Sequence, residues 1–192
     1  MGGAPGPAEE EGGFALMSSE RAKYLNFSKE ESATTTLPVL KAWHARLADD
    51  RRARAALRRA QSLDDVWPEE AFSRLRLHLL PLASFSTMAL ARVAVAVAEV
   101  DEDHEVSLAR RAASLGVRGK ALVSSDRLRL LLGSEDPDEF LRLLRGIVDQ
   151  IDRQVNVAAL ADLVLSWEHP NGRLWARRTV FLDYYETAPA DA

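Results

Sequence analysis

The sequence predicts an all-α protein. Apolar residues recur at helical spacing in one segment after another from Leu37 onward, and residues that start and stop helices bracket those segments. No stretch alternates apolar with polar residues convincingly enough for a sheet. The helices are expected in two small bundles joined by a short linker, behind a poorly ordered N-terminal tail. At 192 residues, 47% hydrophobic and 28% charged, the chain can bury a sizeable core.

Residues 1–36 read as the tail, because "MGGAPGPAEEEGG" is rich in Gly, Pro and Glu and "SKEESATTT" lacks an apolar period. The first bundle spans 37–98. Leu40, Trp43 and Leu47 keep helical spacing, and Asp49 or Asp50 can cap the next start. In "WPEEAFSRLRLHLL", Pro68 stands at an expected first helical position with Glu69 and Glu70 in the first turn, and Pro81 ends that helix. "STMALARVAVAVAEV" is small and apolar on nearly every face, which predicts a buried central helix. The charged segment "EVDEDHEV", 99–106, is the expected acidic linker.

The second bundle spans 107–187. It holds "SLARRAASLGV", then "SSDRLRLLLG" with a Ser or Asp cap and a glycine stop, then "DPDEFLRLLRGIVDQID" with Pro137 near its start. "NVAALADLVLSW" ends before Pro170, where Asn171-Gly172 reads as a turn, and "RLWARRTVFLDYY" closes the fold. No apolar run is long enough to span a bilayer, and "GFALM" is too short and too poorly flanked by positive charge for a secretory signal, so a soluble cytoplasmic protein is expected. The lack of cysteine excludes disulfides, thiolate zinc sites and thiol catalysis.

The net charge is −4, yet "RRARAALRRA", 51–60, carries five arginines and no acid. Wound as a helix, Arg51, Arg52, Arg54, Arg58 and Arg59 fall within an arc of about 160°, opposite Ala53, Ala56, Leu57 and Ala60. A polar face of one sign repels itself unless something compensates it. Two compensations stay open: pairing with acids at 49–50, 64–65 or 69–70, or a polyanion track, since guanidinium groups donate in pairs to phosphate. The bias recurs in Arg110, Arg111, Arg118, Lys120, Arg127 and Arg129, opposed between 107 and 129 only by Asp126. Arg142 and Arg145 share a helix face, as do Arg173, Arg177 and Arg178. No helix-turn-helix or RNA-recognition signature accompanies them, so the expected contact is with the backbone and independent of base sequence.

No catalytic or cofactor motif is present. His44, His78, His104 and His169 are scattered, with His44 read as structural; "DEDHE", 101–105, has metal-ligand residue types but reads as linker. Trp43, Trp67, Trp167 and Trp175, with Phe72, Phe85, Phe140 and Phe181, are read as core rather than as base-stacking groups. The expectation is therefore no enzyme, no metal and no cofactor.

The order of segments resembles the CasB family, the small subunit of the type I-E CRISPR surveillance complex, Cascade. The resemblance runs from "LKAWHARL" through "ALRRAQSLDDVWPEEAFSRL", "SLARRAASL", "RLRLLLGSEDPDEFLRLLRGIV" and "VNVAALADLVLSW" to "GRLWARRTVFLDYY", about 37–186. The tail is longer than the family pattern, and "VNVAAL" lacks a Trp-Pro found ahead of that helix in some relatives. The resemblance implies a non-catalytic, all-α subunit that pairs head to tail with a second copy, contacts other Cascade subunits, and holds CRISPR RNA, target DNA and the displaced strand. By resemblance, Arg58 and Arg59 match paired basic residues after the first helix and Arg110 an arginine of a Ser-Leu-Gly-Arg segment. Arg127 and Arg129 fall in a basic segment, Arg142 and Arg145 match a Leu-Arg-Arg-Leu-Leu region, and Arg173, Arg177 and Arg178 the basic last helix. A helical adaptor that uses its basic faces only for protein contacts is the alternative.

Overall fold

Helix α1 (Thr36–Asp49) buries Leu40, Trp43 and Leu47 along one face, as their spacing requires, and α2 (Arg51–Arg59) follows after a single residue. That residue, Asp50, is the cap of α2: its Oδ1 accepts the Ala53 N–H at 3.0 Å. Helix α3 (Glu70–Leu79) starts two residues after Pro68, with Glu69 in the cap position and Glu70 in its first turn. The computed structural model describes residues 24–116 and 119–188, so residues 1–23 of the expected tail lie outside the described residues.

Helix α4 (Thr87–Ala98) is the centre of the molecule, and every residue from Ala89 to Ala98 is buried. Its alanines and valines let neighbouring helices lie close. The one charge in that run, Arg92, is matched by Asp138 and Glu168, each at 2.7 Å. Burial disfavours the cation, but the two carboxylates overcome that and hold Arg92 protonated more firmly than a free arginine.

The second half brings α5 (Leu108–Ala113), α6 (Ser125–Gly133), α7 (Pro137–Gln150), α8 (Val157–Ser166) and α9 (Pro170–Thr187). Ser107, Ser124, Asp136 and Asn156 each cap the helix that follows them. Helix α8 packs on α4 and α9 on α5, and one cluster of buried side chains runs from Leu25 to Tyr184 through both halves. Trp167 lies in it, stacked on Phe140 with ring centroids 3.8 Å apart.

Three local features differ from the sequence reading. The segment 99–106 is pinned: β1 (Glu102–Asp103) pairs in parallel with β2 (Gln154–Val155), and the ladder is extended by Asp101 N–H to Arg153 O at 2.8 Å and His104 N–H to Val155 O at 3.2 Å. Strands of two residues are too short to leave an alternating pattern. Asn171 and Gly172 do not turn the chain; they lie in the first turn of α9, with Pro170 as its first residue. Gly172 is needed for closeness, since a Cβ there would sit 2.5 Å from the Ser166 carbonyl oxygen at the end of α8. Finally, packed structure begins ahead of Leu37. Phe27 is fully buried, and Asp162 in α8 accepts the N–H groups of Phe27 and Ser28, both at 2.8 Å.

Candidate nucleic-acid interface

The arc of α2 divides. Ala53 and Leu57 face the core, which turns one edge of the arc toward the C-terminal end of α4. That end has carbonyls with no helical partner and carries the negative pole of the helix dipole. Arg54 and Arg58 satisfy it: Arg54 donates from Nε to Ala98 O at 3.2 Å and from Nη2 to Val100 O, while Arg58 donates to Ala98 O at 2.7 Å and Glu99 O at 2.9 Å. Both also pair with Asp101, at 2.8 and 2.7 Å. Burial pushes the Asp101 carboxyl up, but the Arg58 hydrogen bond and the Arg58, Arg54 and Arg153 charges outweigh it and hold it below the usual carboxylate range.

Two other helix ends are closed in the same way. Arg145 of α7 reaches the end of α2, donating to Ala60 O at 3.0 Å and to Arg58 O. Arg173 and Arg177 of α9 reach the end of α6: Arg177 donates to Ser134 O at 3.0 Å and Arg173 to Glu135 O, and both pair with the Glu135 carboxylate, at 2.8 and 3.3 Å. The Arg177 hydrogen bond and both guanidinium charges hold the Glu135 carboxyl below its ordinary range.

At the junction of these elements lies Glu99, its side chain 8% exposed, with Arg145 at 2.8 Å, Arg153 at 2.9 Å and Arg58 at 3.8 Å. A carboxylate this buried requires such pairing. Arg153 is presented by a turn in which Asp152 and Arg153 both have φ near +60°, a conformation L residues adopt at a cost of about 1 kcal/mol or more each. Sequence reading missed this node. Its signal is an acid directly after the apolar run Val93–Ala98, but its partners come from three distant elements.

The remaining basic residues lie nearer the surface. Arg111 donates to Gln154 at 3.2 Å and faces Asp152 at 3.6 Å; Arg110 faces Asp183 at 3.7 Å and Arg142 faces Glu139 at 3.8 Å. Arg129 pairs with Asp126 at 3.2 Å and donates to the Tyr185 hydroxyl at 2.9 Å. Among the described residues no carboxylate pairs with Arg51, Arg52, Arg59, Lys120, Arg127 or Arg178, all of which are exposed. Arg118 lies outside the described residues. On α2 the three unpaired arginines, Arg51, Arg59 and Arg52, keep to about 100° of helix surface.

Other candidate groups are accounted for locally. His44 bonds the Val100 carbonyl at 2.9 Å, a structural role. Asp103 accepts the Val157 N–H at 2.9 Å and pairs with Lys41 at 3.1 Å, and Glu102 accepts from Gln154 at 3.1 Å. Among the described residues no group of three His, Asp or Glu side chains could hold a metal ion, and no helix is long and apolar enough to cross a membrane. Trp43, Trp167, Phe72 and Phe140 are core as expected, and Phe85 and Phe181 pack partly buried against it. Trp67 and Trp175 are not core; the latter is 68% exposed, because the buried face of α9 is the one that carries Ala176, Val180 and Tyr184.

Comparison with known proteins sets this helical frame among the CRISPR-associated proteins. The family described as CRISPR-associated protein Cse2 matches residues 53–185. The chain belongs to the Cse2 family, which is the CasB family that the order of its motifs resembles. A chain in the crystal structure of E. coli Cascade bound to a PAM-containing dsDNA target shares the fold, with a TM-score of 0.58 and 19% identity over 78% of this chain and 95% of that one. Comparison with curated proteins gives no match.

Proposed function

We propose that this chain is the small subunit of a type I-E Cascade complex and binds nucleic acid there through sequence-independent contacts to phosphate, without catalysing a reaction. Membership of the Cse2 family and the fold shared with a chain of E. coli Cascade support the setting. The phosphate reading is carried by one observation: in a chain that ties so many guanidinium groups to its own carbonyls and carboxylates, α2 leaves Arg51, Arg52 and Arg59 exposed and unpaired among the described residues. Three cations on one helix face gain by meeting a polyanion. Guide pairing would supply sequence choice, and the subunit would steady the guide-target heteroduplex and the displaced strand. Pairing head to tail with a second copy belongs to the same proposal.

The test replaces Arg51, Arg52 and Arg59 together by Glu in the reconstituted complex. Glutamate forms helices well and is favoured in the first helical turn, where Arg51 and Arg52 stand; at Arg59, in the last turn, the dipole opposes it by only about 0.3–1 kcal/mol, so folding should survive. R-loop stability should weaken about equally for different targets, and the slope of log affinity against log salt should shrink by about 0.7–0.9 for each phosphate that is no longer neutralised. If the variant instead leaves the complex on size exclusion while the salt slope of the DNA binding that remains is unchanged, the basic face meets protein and the adaptor reading replaces this one. The purified chain should neither cut DNA or RNA nor hydrolyse nucleotides with any divalent metal; turnover abolished by changing His104 or Asp101 would overturn the non-catalytic part.

A further inference from the structure

On α9, Trp175, Arg178, Leu182 and Tyr185 follow one another at separations of three, four and three residues, so they line one face of the helix. That face is open: Trp175, Leu182 and Tyr185 are 68%, 63% and 46% exposed. It cannot roll inward, because Ala176, Val180 and Tyr184 are buried on the other side and the Tyr184 hydroxyl donates to Val123 O at 2.7 Å. The Tyr185 ring is itself fixed, stacked near Phe181 with centroids 6.2 Å apart and receiving the Arg129 guanidinium at its hydroxyl. Arg178 lies between the two aromatic residues with no carboxylate partner among the described residues. Glu186 is the acid at the end of the stripe, and Asp126 neutralises part of Arg129.

We propose that this stripe is a stacking platform for the unpaired bases of single-stranded nucleic acid, an inference that rests on the phosphate-binding reading above. Two flat aromatic faces about 15 Å apart along the helix, with a free guanidinium between them and an aliphatic side chain to cover sugar, match the chemistry of an extended strand: bases on Trp175 and Tyr185, a phosphate on Arg178. Duplex regions offer no such base faces, so the occupant is the displaced or otherwise unpaired strand. A purely protein partner would leave the Arg178 charge to be matched by an acid of its own, which nothing on this face calls for in preference to phosphate.

The full-length chain is titrated with a labelled dT oligonucleotide of about twenty nucleotides and with an abasic strand of equal length and charge. Trp175→Ala should weaken dT binding about tenfold or more, as expected when one base can no longer stack, while leaving abasic binding and the salt slope unchanged. Trp175→Phe should keep most of the affinity. Truncation at so exposed a site leaves the melting temperature nearly unchanged, and the Phe variant tests stacking even if it does not. If dT binding is salt-dependent but indifferent to Trp175→Ala, or if dT and abasic binding fall together, the stacking inference is wrong and the phosphate reading stands. Loss of the variant from the reconstituted complex with dT affinity intact would make the stripe a protein interface and also overturn it. If neither strand binds the wild-type chain with salt dependence, the phosphate reading fails and takes this inference with it.

Discussion

Arg58 and Arg59 are adjacent in α2, yet removing them should have very different costs. Arg58 makes three hydrogen bonds, to Ala98 O at 2.7 Å, Glu99 O at 2.9 Å and Asp101 at 2.7 Å, and stands among the cations around Glu99. Arg59 is exposed with no ion pair among the described residues. Hydrogen bonds to charged groups contribute about 1.5–3 kcal/mol each, but a side chain 25% exposed leaves room for water to replace part of what truncation removes. A net loss of about 2–3 kcal/mol follows for Arg58→Ala, against about 0.5 kcal/mol at most for Arg59→Ala. In a chain of this length each kcal/mol moves the thermal midpoint by about 2–4 °C, so the two variants should melt about 4–12 °C and less than about 2 °C below wild type. Circular dichroism melts of the two proteins, checked by urea unfolding, measure this directly. Equal midpoints would refute the assignment of Arg58 to the end of α4, and with it the division of the arginines into inward and outward sets.

Gly172→Ala should destabilise by about 1–3 kcal/mol, read as a lower urea midpoint, because the new methyl meets the Ser166 carbonyl. Asp162→Ala should cost about 1–2 kcal/mol and speed hydrogen exchange at Phe27 and Ser28 selectively, since their N–H groups lose the acceptor that holds them on α8. Acid should loosen α9 from α6: the Glu135 carboxyl is held below its ordinary value, so its contribution is present above that value and is lost as pH falls through the lower folded one. Glu135→Gln should therefore melt below wild type at neutral pH, and the difference should close as pH falls below the ordinary glutamate range and through the lowered folded value.

Helix positions are legible in the sequence because caps and periods are local: Asp50, Ser124, Asp136 and Asn156 start the helices their neighbours continue. What is not local is not legible. The arc of α2 is readable to the residue, but which edge turns inward depends on where α4 ends in space, so Arg58 and Arg59 look equivalent in sequence and are not. Leu25 and Phe27 are too few to set a helical period, and the carboxylate that receives the Phe27 N–H belongs to α8, 135 residues away. Trp167 closes an apolar helical stretch and Trp175 stands early in a polar one, yet neither placement decides burial: Trp167 is core because Phe140 of α7 stacks on it, whereas Trp175 lies on the open face of α9. Gly172 is misread for the same reason, its constraint being another helix's carbonyl rather than its own φ. The candidate site is legible as a surplus of arginine; its sorting into structural and exposed groups is tertiary information.

The contact between Phe27 and Asp162 spans 135 residues of chain. At about 5–20 residues per second, the ribosome delivers the second partner about 7–27 s after the first. Throughout that interval Leu25 and Phe27 have been made while α8, which receives the segment, has not. Among the described residues these early apolar side chains are thus among the last to find their place, since the segment cannot dock before α8 has been made.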